Sequence, residues 1–228
     1  QLENKKKQLM RACSFDDVKV FSDEPYHYRN RMDFVFHSHG IGLRAEGRSS
    51  EIIDIKECVI ADNKLNDLLK EVRDYFRGVD YFNVRKRKGT FRYVVIRTSS
   101  TSDSSISFIL NEDSPSITLA FEKIRSFAVG SSAKNILVGV IAPNKDVSFS
   151  EEYEVIKGEE FLLEEFLGKK FCYPIQGFFQ NNPIMAGKMQ GYVREVLEGY
   201  ETLNASLLDL YGGVGTFGIV NADLFSSV

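Results

Sequence analysis

The chain has 228 residues, 43% hydrophobic and 12% aromatic, which suffices for the core of one large domain or two small ones. Its formal net charge of -3 excludes a surface that attracts polyanions everywhere, so any nucleic-acid site must be a local patch. No apolar run approaches the roughly 20 residues that a membrane-spanning helix needs, and the lysine-rich start is unlike a signal peptide. We therefore expect a globular, cytoplasmic protein with no membrane partner and no evident protein partner.

The first elements predict a helix followed by an antiparallel meander. Residues 1–13 fit an amphipathic helix that docks on another part of the protein. Apolar and polar residues alternate over residues 26–36, which predicts a strand whose polar face carries Arg29 and Arg31. Short strands follow a turn at His39-Gly40, so the strands should pair with their neighbours in sequence.

The middle of the chain alternates between helical and strand patterns. Asp62 or Asn63 can cap a helix whose apolar residues recur every three or four positions until Gly78. Strand patterns then occupy residues 91–97, 105–110 and 135–141, a helical pattern occupies residues 121–129, and further short strands fall within residues 151–166. These patterns predict an α+β domain with an antiparallel sheet. We place the end of this domain at residue 173.

A short basic run is the densest positive charge in the chain. It consists of Arg85, Lys86, Arg87 and Lys88 beside a glycine. Such a run is typical of a solvated hairpin tip, although it can also contact RNA phosphates. Arg29 and Arg31 form a second candidate RNA contact.

The last quarter of the chain carries the clearest functional signal. The apolar segment Leu207–Tyr211 predicts a strand that leads into a glycine-rich turn and a helix. Glycines in such a turn let backbone amides approach a ligand closely. Gly213, Gly215 and Gly218 fit the G-x-G-x-x-G spacing of NAD-binding loops, whereas Asp209 ahead of them fits the acidic loop of S-adenosylmethionine-dependent methyltransferases. We favour S-adenosylmethionine and keep a nicotinamide-dependent oxidoreductase as an alternative.

Four segments together resemble the S-adenosylmethionine-dependent RNA uracil-5 methyltransferases, which act on tRNA or rRNA. The segments are Tyr28–Arg31, Ile53–Cys58, Gly177–Asn182 and Leu208–Gly218. The resemblance implies an α+β central domain followed by the start of a Rossmann-like α/β methyltransferase domain that is truncated in this chain. It divides the chain into an N-terminal helix packing on the methyltransferase domain (1–24), an RNA-contacting central domain (25–173) and the beginning of the cofactor-binding domain (174–228).

The same resemblance assigns the cofactor site. Gln180 matches a glutamine that contacts S-adenosylmethionine, Tyr211 and Thr216 match loop positions lining its site, and Asp209, Gly213 and Gly215 belong to the turn. Phe178 and Phe179, just before Gln180, are expected in the core.

The resemblance also implies parts that lie outside this chain. In the family a cysteine thiolate adds to C6 of the uracil so that C5 can accept the methyl group, and that cysteine and the base lie downstream of the glycine loop. We therefore assign no catalytic residue here. Cys58 matches the last of four cysteines that hold a 4Fe-4S cluster in many members, but the other three are absent, which makes Cys58 a remnant ligand at most. A non-catalytic RNA-binding module is a further alternative.

Overall fold

A computed structural model describes residues 2–14 and 18–228, and seven of its strands form one mixed sheet. The elements in chain order are α1 (Leu2–Cys13), β1 (Arg31–His37), β2 (Gly40–Ala45), β3 (Arg48–Asp54), α2 (Asn63–Tyr75), β4 (Phe91–Thr98), β5 (Ser104–Asn111), α3 (Ile117–Gly130), β6 (Asn135–Ile141), β7 (Tyr153–Lys157), β8 (Phe161–Phe166), β9 (Lys169–Pro174), α4 (Pro183–Leu197) and α5 (Thr216–Asn221). The sheet order is β3-β2-β1-β4-β5-β6-β7, and β8 and β9 form a separate hairpin. No helix in the described residues is both long and apolar enough to span a bilayer.

The predicted antiparallel sheet is confirmed with one exception. β1 pairs antiparallel with both β2 and β4, and β4 pairs antiparallel with β5. β5 and β6 are parallel, because the chain crosses over through α3 between them and re-enters the sheet in the same direction. The antiparallel meander can therefore be predicted from the sequence, whereas the parallel pairing of β5 with β6 depends on the crossover through α3.

One face of the sheet is covered by α2 and α3. On β1 the residues Met32, Phe34 and Phe36 are buried, as the period-two pattern predicts. They pack in one cluster with the apolar residues of α2 and α3, including Leu68 and Phe127. Burial of this aromatic-rich face is the main apolar contribution to the fold.

Asp62 fixes where α2 begins. Its backbone is extended, and its Oδ1 accepts a hydrogen bond from the Leu65 amide at 2.7 Å. The other carboxylate oxygen accepts from the Thr98 hydroxyl at the end of β4. The cap thereby ties α2 to the sheet as well as starting the helix.

Helix α1 is formed as predicted, and none of its residues is buried. Its first turn lines an open cavity together with residues 21–25 and the start of α4. Gln1 lies outside the described residues. The docking of this helix on a methyltransferase domain stays a prediction.

The predicted strand at Leu207–Tyr211 is not formed, which corrects the sequence analysis. Just before it, Ser206 pairs in parallel with Ser227, and the Leu207 amide donates to the Ser227 carbonyl at 2.9 Å. Leu208 and Leu210 are exposed, because this segment has no continuous ladder to hold it. A turn that leads into helix α5 is therefore present, but the predicted strand before it is reduced to a single bridge.

The hairpin β8-β9 shares a small core with the segments that follow it. Leu162 and Tyr173 of the hairpin cluster with Phe179 and with Val220 of α5. This core crosses the predicted domain boundary at residue 174, which itself stays a prediction.

Candidate functional site

The glycine-rich turn before α5 adopts the backbone geometry that its sequence predicts. Gly213 and Gly215 have φ values of 59° and 74°, in the left-handed region that favours glycine. Tyr211 also lies in that region, with φ of 57° and its side chain fully exposed. The Gly215 amide donates to the Gly212 carbonyl at 2.8 Å, which closes the turn.

The Asp209 carboxylate stabilises this turn by a hydrogen bond. Its Oδ2 accepts a hydrogen bond from the Gly218 amide at 3.1 Å. A Cβ on Gly212 would come within 3.1 Å of the same carboxylate, so the turn is packed tightly around Asp209. Asp209 therefore shapes the loop and does not line the adjoining cavity.

A cavity of about 120 Å³ lies between the loop and the segment around Gln180. It brings together four of the residues predicted to bind the cofactor: Gln180, Tyr211, Gly213 and Thr216. Asp209 and Gly215 do not line it. The structure thus joins the two motifs that the sequence separates by some thirty residues.

Gln190 is a lining residue that the sequence analysis missed. It is 2% exposed, and its Nε2 donates to the Thr216 hydroxyl at 3.0 Å. Its Oε1 is buried and has no hydrogen-bond partner. A signal was available, because Gln190 lies four residues after Ala186 on the buried face of α4.

Arg97 on β4 holds the segment that carries Gln180. It is 1% exposed and donates to the carbonyls of Ile175, Gly177 and Phe179 at 3.0, 2.8 and 3.2 Å. Its guanidinium also lies over the Tyr173 ring, 4.9 Å from the centroid. Burial lowers the pKa of Arg97 to about 10, so it remains charged at neutral pH.

The two phenylalanines before Gln180 have different environments. Phe179 is 2% exposed and stacks on Tyr173 with ring centroids 4.3 Å apart, as expected of a core residue. Phe178 is 73% exposed, so its predicted core position is wrong.

A second, larger cavity of about 840 Å³ shares Phe178 with the first in its lining. We call it the arginine groove; it is lined by Arg29, Arg31, Arg44, Tyr93, Phe149, Phe178 and Asn181, among others. Phe178 also lines the cavity at the glycine loop, so one exposed aromatic ring borders both spaces.

Arg29 and Arg31, both predicted RNA contacts, meet at one wall of this groove. The Arg29 Nε donates to the Arg31 carbonyl at 3.0 Å. Arg31 forms a bidentate pair with Asp33 at 3.0 and 3.2 Å, and Asp33 also accepts from Ser148. The arginines are therefore held in place before any ligand binds.

The lining of the groove also contains a polar network that the sequence analysis did not identify. Arg44 donates to Asp146 at 2.8 Å and to the Tyr93 hydroxyl at 2.9 Å, and the Tyr93 hydroxyl donates to Asp146. Burial raises the pKa of Tyr93 above its usual value. Since Arg44 and Asp146 are about a hundred residues apart in sequence, no spacing pattern could reveal this contact.

The basic run Arg85, Lys86, Arg87 and Lys88 forms an exposed hairpin, as predicted. The Asn83 side chain accepts from the Lys86 amide at 3.0 Å inside its turn. The hairpin precedes the start of β4, whereas Arg31 pairs with Arg97 near the strand's other end. The two basic groups are thus separated by about 20 Å of strand and do not share a cavity.

Cys58 is half-buried against the main core. Its backbone amide donates to Asn66 Oδ1 at 3.0 Å, and its backbone carbonyl accepts from Asn66 Nδ2 at 3.1 Å. The described residues contain no group of three or more His, Cys, Asp or Glu side chains able to hold a metal. A 4Fe-4S cluster therefore does not fit the residues described, and the role of Cys58 as a remnant ligand stays a prediction.

Comparison with known proteins identifies relatives along the entire chain. The profile of a family described as tRNA (Uracil-5-)-methyltransferase matches residues 1–228. A tRNA (uracil(54)-C(5))-methyltransferase from Pyrococcus abyssi is 30% identical over 96% of this chain and 51% of its own length. An uncharacterized RNA methyltransferase from Thermotoga maritima is 28% identical, again over 96% of this chain and 51% of its own length.

A solved structure shows the same architecture. The crystal structure of the Pyrococcus abyssi tRNA (uracil-54, C5)-methyltransferase in complex with S-adenosyl-L-homocysteine superimposes with a TM-score of 0.78 at 27% identity. The match covers 99% of this chain and 54% of that protein. The class of protein that these findings define is the RNA methyltransferases. Within that class, the chain belongs to the tRNA (uracil-5-)-methyltransferase family, and it spans about half the length of the relatives it matches.

Proposed function

We propose that the protein containing this chain transfers a methyl group from S-adenosylmethionine to C5 of a uridine in RNA. The observation that carries the proposal is the position of Phe178 between the cavity at the glycine loop and the arginine groove. In this proposal a cofactor site and a polynucleotide site share one exposed aromatic residue. A nicotinamide-dependent oxidoreductase would not require the second site, and family membership disfavours it.

In this proposal the glycine-loop cavity receives the cofactor, which supplies the methyl group. Gln180, Gln190 and Thr216 offer amide and hydroxyl groups, while Tyr211 and Gly213 form the loop side. A cavity of about 120 Å³ is smaller than the roughly 300–1,000 Å³ usual for whole ligands, so these residues would enclose only one end of the molecule. The Rossmann-like start of a methyltransferase domain at 174–228 remains part of the proposal.

The arginine groove is proposed to receive RNA. Arg29 and Arg31 would contact phosphates, and the exposed hairpin at residues 85–88 would contact a more distant part of the backbone. The target base must leave its stack to reach the cofactor, and the face of Phe178 offers it a surface on which to stack. Because relatives are named for uridine 54 of tRNA, we propose tRNA ahead of rRNA as the substrate.

The covalent step is proposed to involve residues beyond this chain. A cysteine thiolate adds to uracil C6, and C5 then attacks the methyl carbon of S-adenosylmethionine. The bond from that carbon to the sulfonium sulfur breaks, which leaves S-adenosylhomocysteine, and loss of the C5 proton to a base lets the thiolate leave C6. Cys13, Cys58 and Cys172 are absent from the residues lining either cavity. We therefore propose that the nucleophile and base belong to a further segment and that this chain alone is inactive. A cytoplasmic location also remains a prediction.

The test is methyl transfer by the full-length protein with labelled S-adenosylmethionine. The RNAs would be an unmodified tRNA transcript, the same tRNA with cytidine at position 54, and an rRNA transcript. We expect 5-methyluridine, identified by mass spectrometry of nucleosides, in the first tRNA alone. Transfer to rRNA alone would correct the substrate, and RNA binding without transfer to any RNA would favour a non-catalytic binding module.

A further inference from the structure

Gln190 has an unusual position for a polar side chain. It lies on the buried face of α4, is 2% exposed, and lines the cavity at the glycine loop. One end of its amide donates to the Thr216 hydroxyl at 3.0 Å. Its other end, Oε1, is buried without any partner.

An unpartnered buried carbonyl oxygen is uncommon, since buried polar groups are nearly always hydrogen-bonded. A ligand that brings an N–H or O–H donor would satisfy it. No residue that lines this cavity in the described part of the chain is charged. In this cavity, only neutral acceptors such as amide oxygens could therefore bind a cationic group of a ligand.

S-adenosylmethionine carries one strong cationic donor, the ammonium group of its methionine part. Hydrogen bonds from a charged donor are stronger than those between neutral groups. The cavity is also too small for the whole cofactor and suits one end of it. We propose that Gln190 Oε1 accepts a hydrogen bond from the methionine ammonium and so positions the amino-acid end of the cofactor. This inference rests on the proposed function.

Calorimetry on the full-length protein tests the inference with two ligands. S-adenosylmethionine has the ammonium, and 5′-methylthioadenosine lacks the amino-acid part. Gln190→Met keeps the size and shape of the side chain without its acceptor, and we expect the dissociation constant for S-adenosylmethionine to rise about tenfold. The dissociation constant for 5′-methylthioadenosine should stay the same.

Two further variants separate binding from folding. Gln190→Glu keeps an acceptor at the same position and should retain S-adenosylmethionine affinity. Met189→Leu changes the neighbouring residue of α4, which does not line the cavity, and should leave both affinities unchanged.

Unchanged S-adenosylmethionine affinity in Gln190→Met would overturn the inference. Equal weakening of both ligands would also overturn it, because Gln190 would then support the cavity and not the amino-acid end. The inference would also be overturned if Gln190→Glu lost as much affinity for S-adenosylmethionine as Gln190→Met. If the wild-type protein bound no S-adenosylmethionine, the proposed function itself would fail.

Discussion

At the scale of single residues, the most consequential contact is made by Arg97. Its guanidinium links β4 to three carbonyls of the segment that carries Phe178 and Gln180. A buried charge is tolerated here because each of these carbonyls directs a dipole toward it and Tyr173 covers it. The segment that we propose contacts the cofactor is therefore attached to the central strand of the sheet.

Replacement of Arg97 should damage both stability and cofactor binding. Arg97→Met leaves the carbonyls of Ile175, Gly177 and Phe179 without their donor, and we expect the free energy of unfolding to fall by about 3 kcal/mol. Urea denaturation measures this loss. Arg125→Met removes an exposed pair with Glu154 and should cost less than about 1 kcal/mol. Equal stability of the two variants would contradict this account.

His37 gives the fold a dependence on pH. Burial lowers the pKa of His37 despite Asp54, whose Oδ1 lies 3.2 Å from Nε2. Arg73 lowers the pKa of Asp54, which therefore stays ionised while His37 titrates. Since the unfolded chain binds a proton to His37 more readily, protonation favours unfolding. The stabilising contribution is complete above the unfolded pKa of about 6.5 and declines as pH falls below it.

Chemical denaturation between about pH 7.5 and about pH 5 tests this prediction. The free energy of unfolding of the wild-type protein should decrease toward the acidic end, and His37→Gln should make the decrease smaller. His39→Gln keeps the buried histidine and removes only the weaker repulsion from His39, so its profile should stay closer to the wild-type profile than that of His37→Gln. An identical profile for His37→Gln would show that His37 does not cause the dependence.

At the scale of elements, sequence patterns identified what local chemistry determines. The cap at Asp62, the alternation on β1 and the helical spacing of α2 all depend on residues close in sequence, and each prediction is confirmed. The strand predicted at Leu207–Tyr211 did not form. A strand needs a neighbouring strand to pair with, and the apolar composition of the segment does not show whether one is present. The spacing of α4 could have placed Gln190 on its buried face, but the contacts of Gln190 with Thr216 and of Arg44 with Asp146 depend on packing between distant elements, which periodicity does not encode.

The two basic elements should contribute differently to RNA binding. Alanine at all four positions of the 85–88 hairpin should weaken RNA binding and reduce its salt dependence, because phosphate contacts release counterions. Alanine at Arg29 and Arg31 should additionally slow methyl transfer from saturated complexes, since these residues border the groove beside Phe178. Fluorescence anisotropy across salt concentrations and single-turnover assays measure the two effects.

A control replaces four exposed acidic residues on β7 and the two loops beside it with alanine, and it is not expected to weaken RNA binding: Glu151, Glu152, Glu154 and Glu159. If the hairpin variant bound RNA as tightly as the wild type at every salt concentration, the hairpin would be a solvated turn and nothing more.

At the scale of the whole molecule, Phe178 lines both cavities. We expect Phe178→Ala to reduce methyl transfer about tenfold or more, because stacking of a base on an aromatic side chain is worth about 1–3 kcal/mol. S-adenosylmethionine affinity should change much less. Phe178→Tyr keeps the ring and should preserve transfer in single-turnover assays.

Phe149 provides the matched comparison. It also lines the arginine groove and is exposed, but it does not line the glycine-loop cavity. Phe149→Ala should therefore have the smaller effect on transfer. A larger effect from Phe149 would place the reacting base deeper in the groove than we propose.

The order of the seven strands also has a consequence for how the protein behaves at high concentration. The two outermost strands, β3 and β7, each offer backbone groups to which a strand of another molecule could pair. Both carry charges along their length: Arg48 and Glu51 on β3, and Glu154 and Lys157 on β7. Charged side chains at such margins disfavour the addition of foreign strands. The sheet is thereby protected from growing into aggregates, even though its interior is unusually rich in aromatic rings.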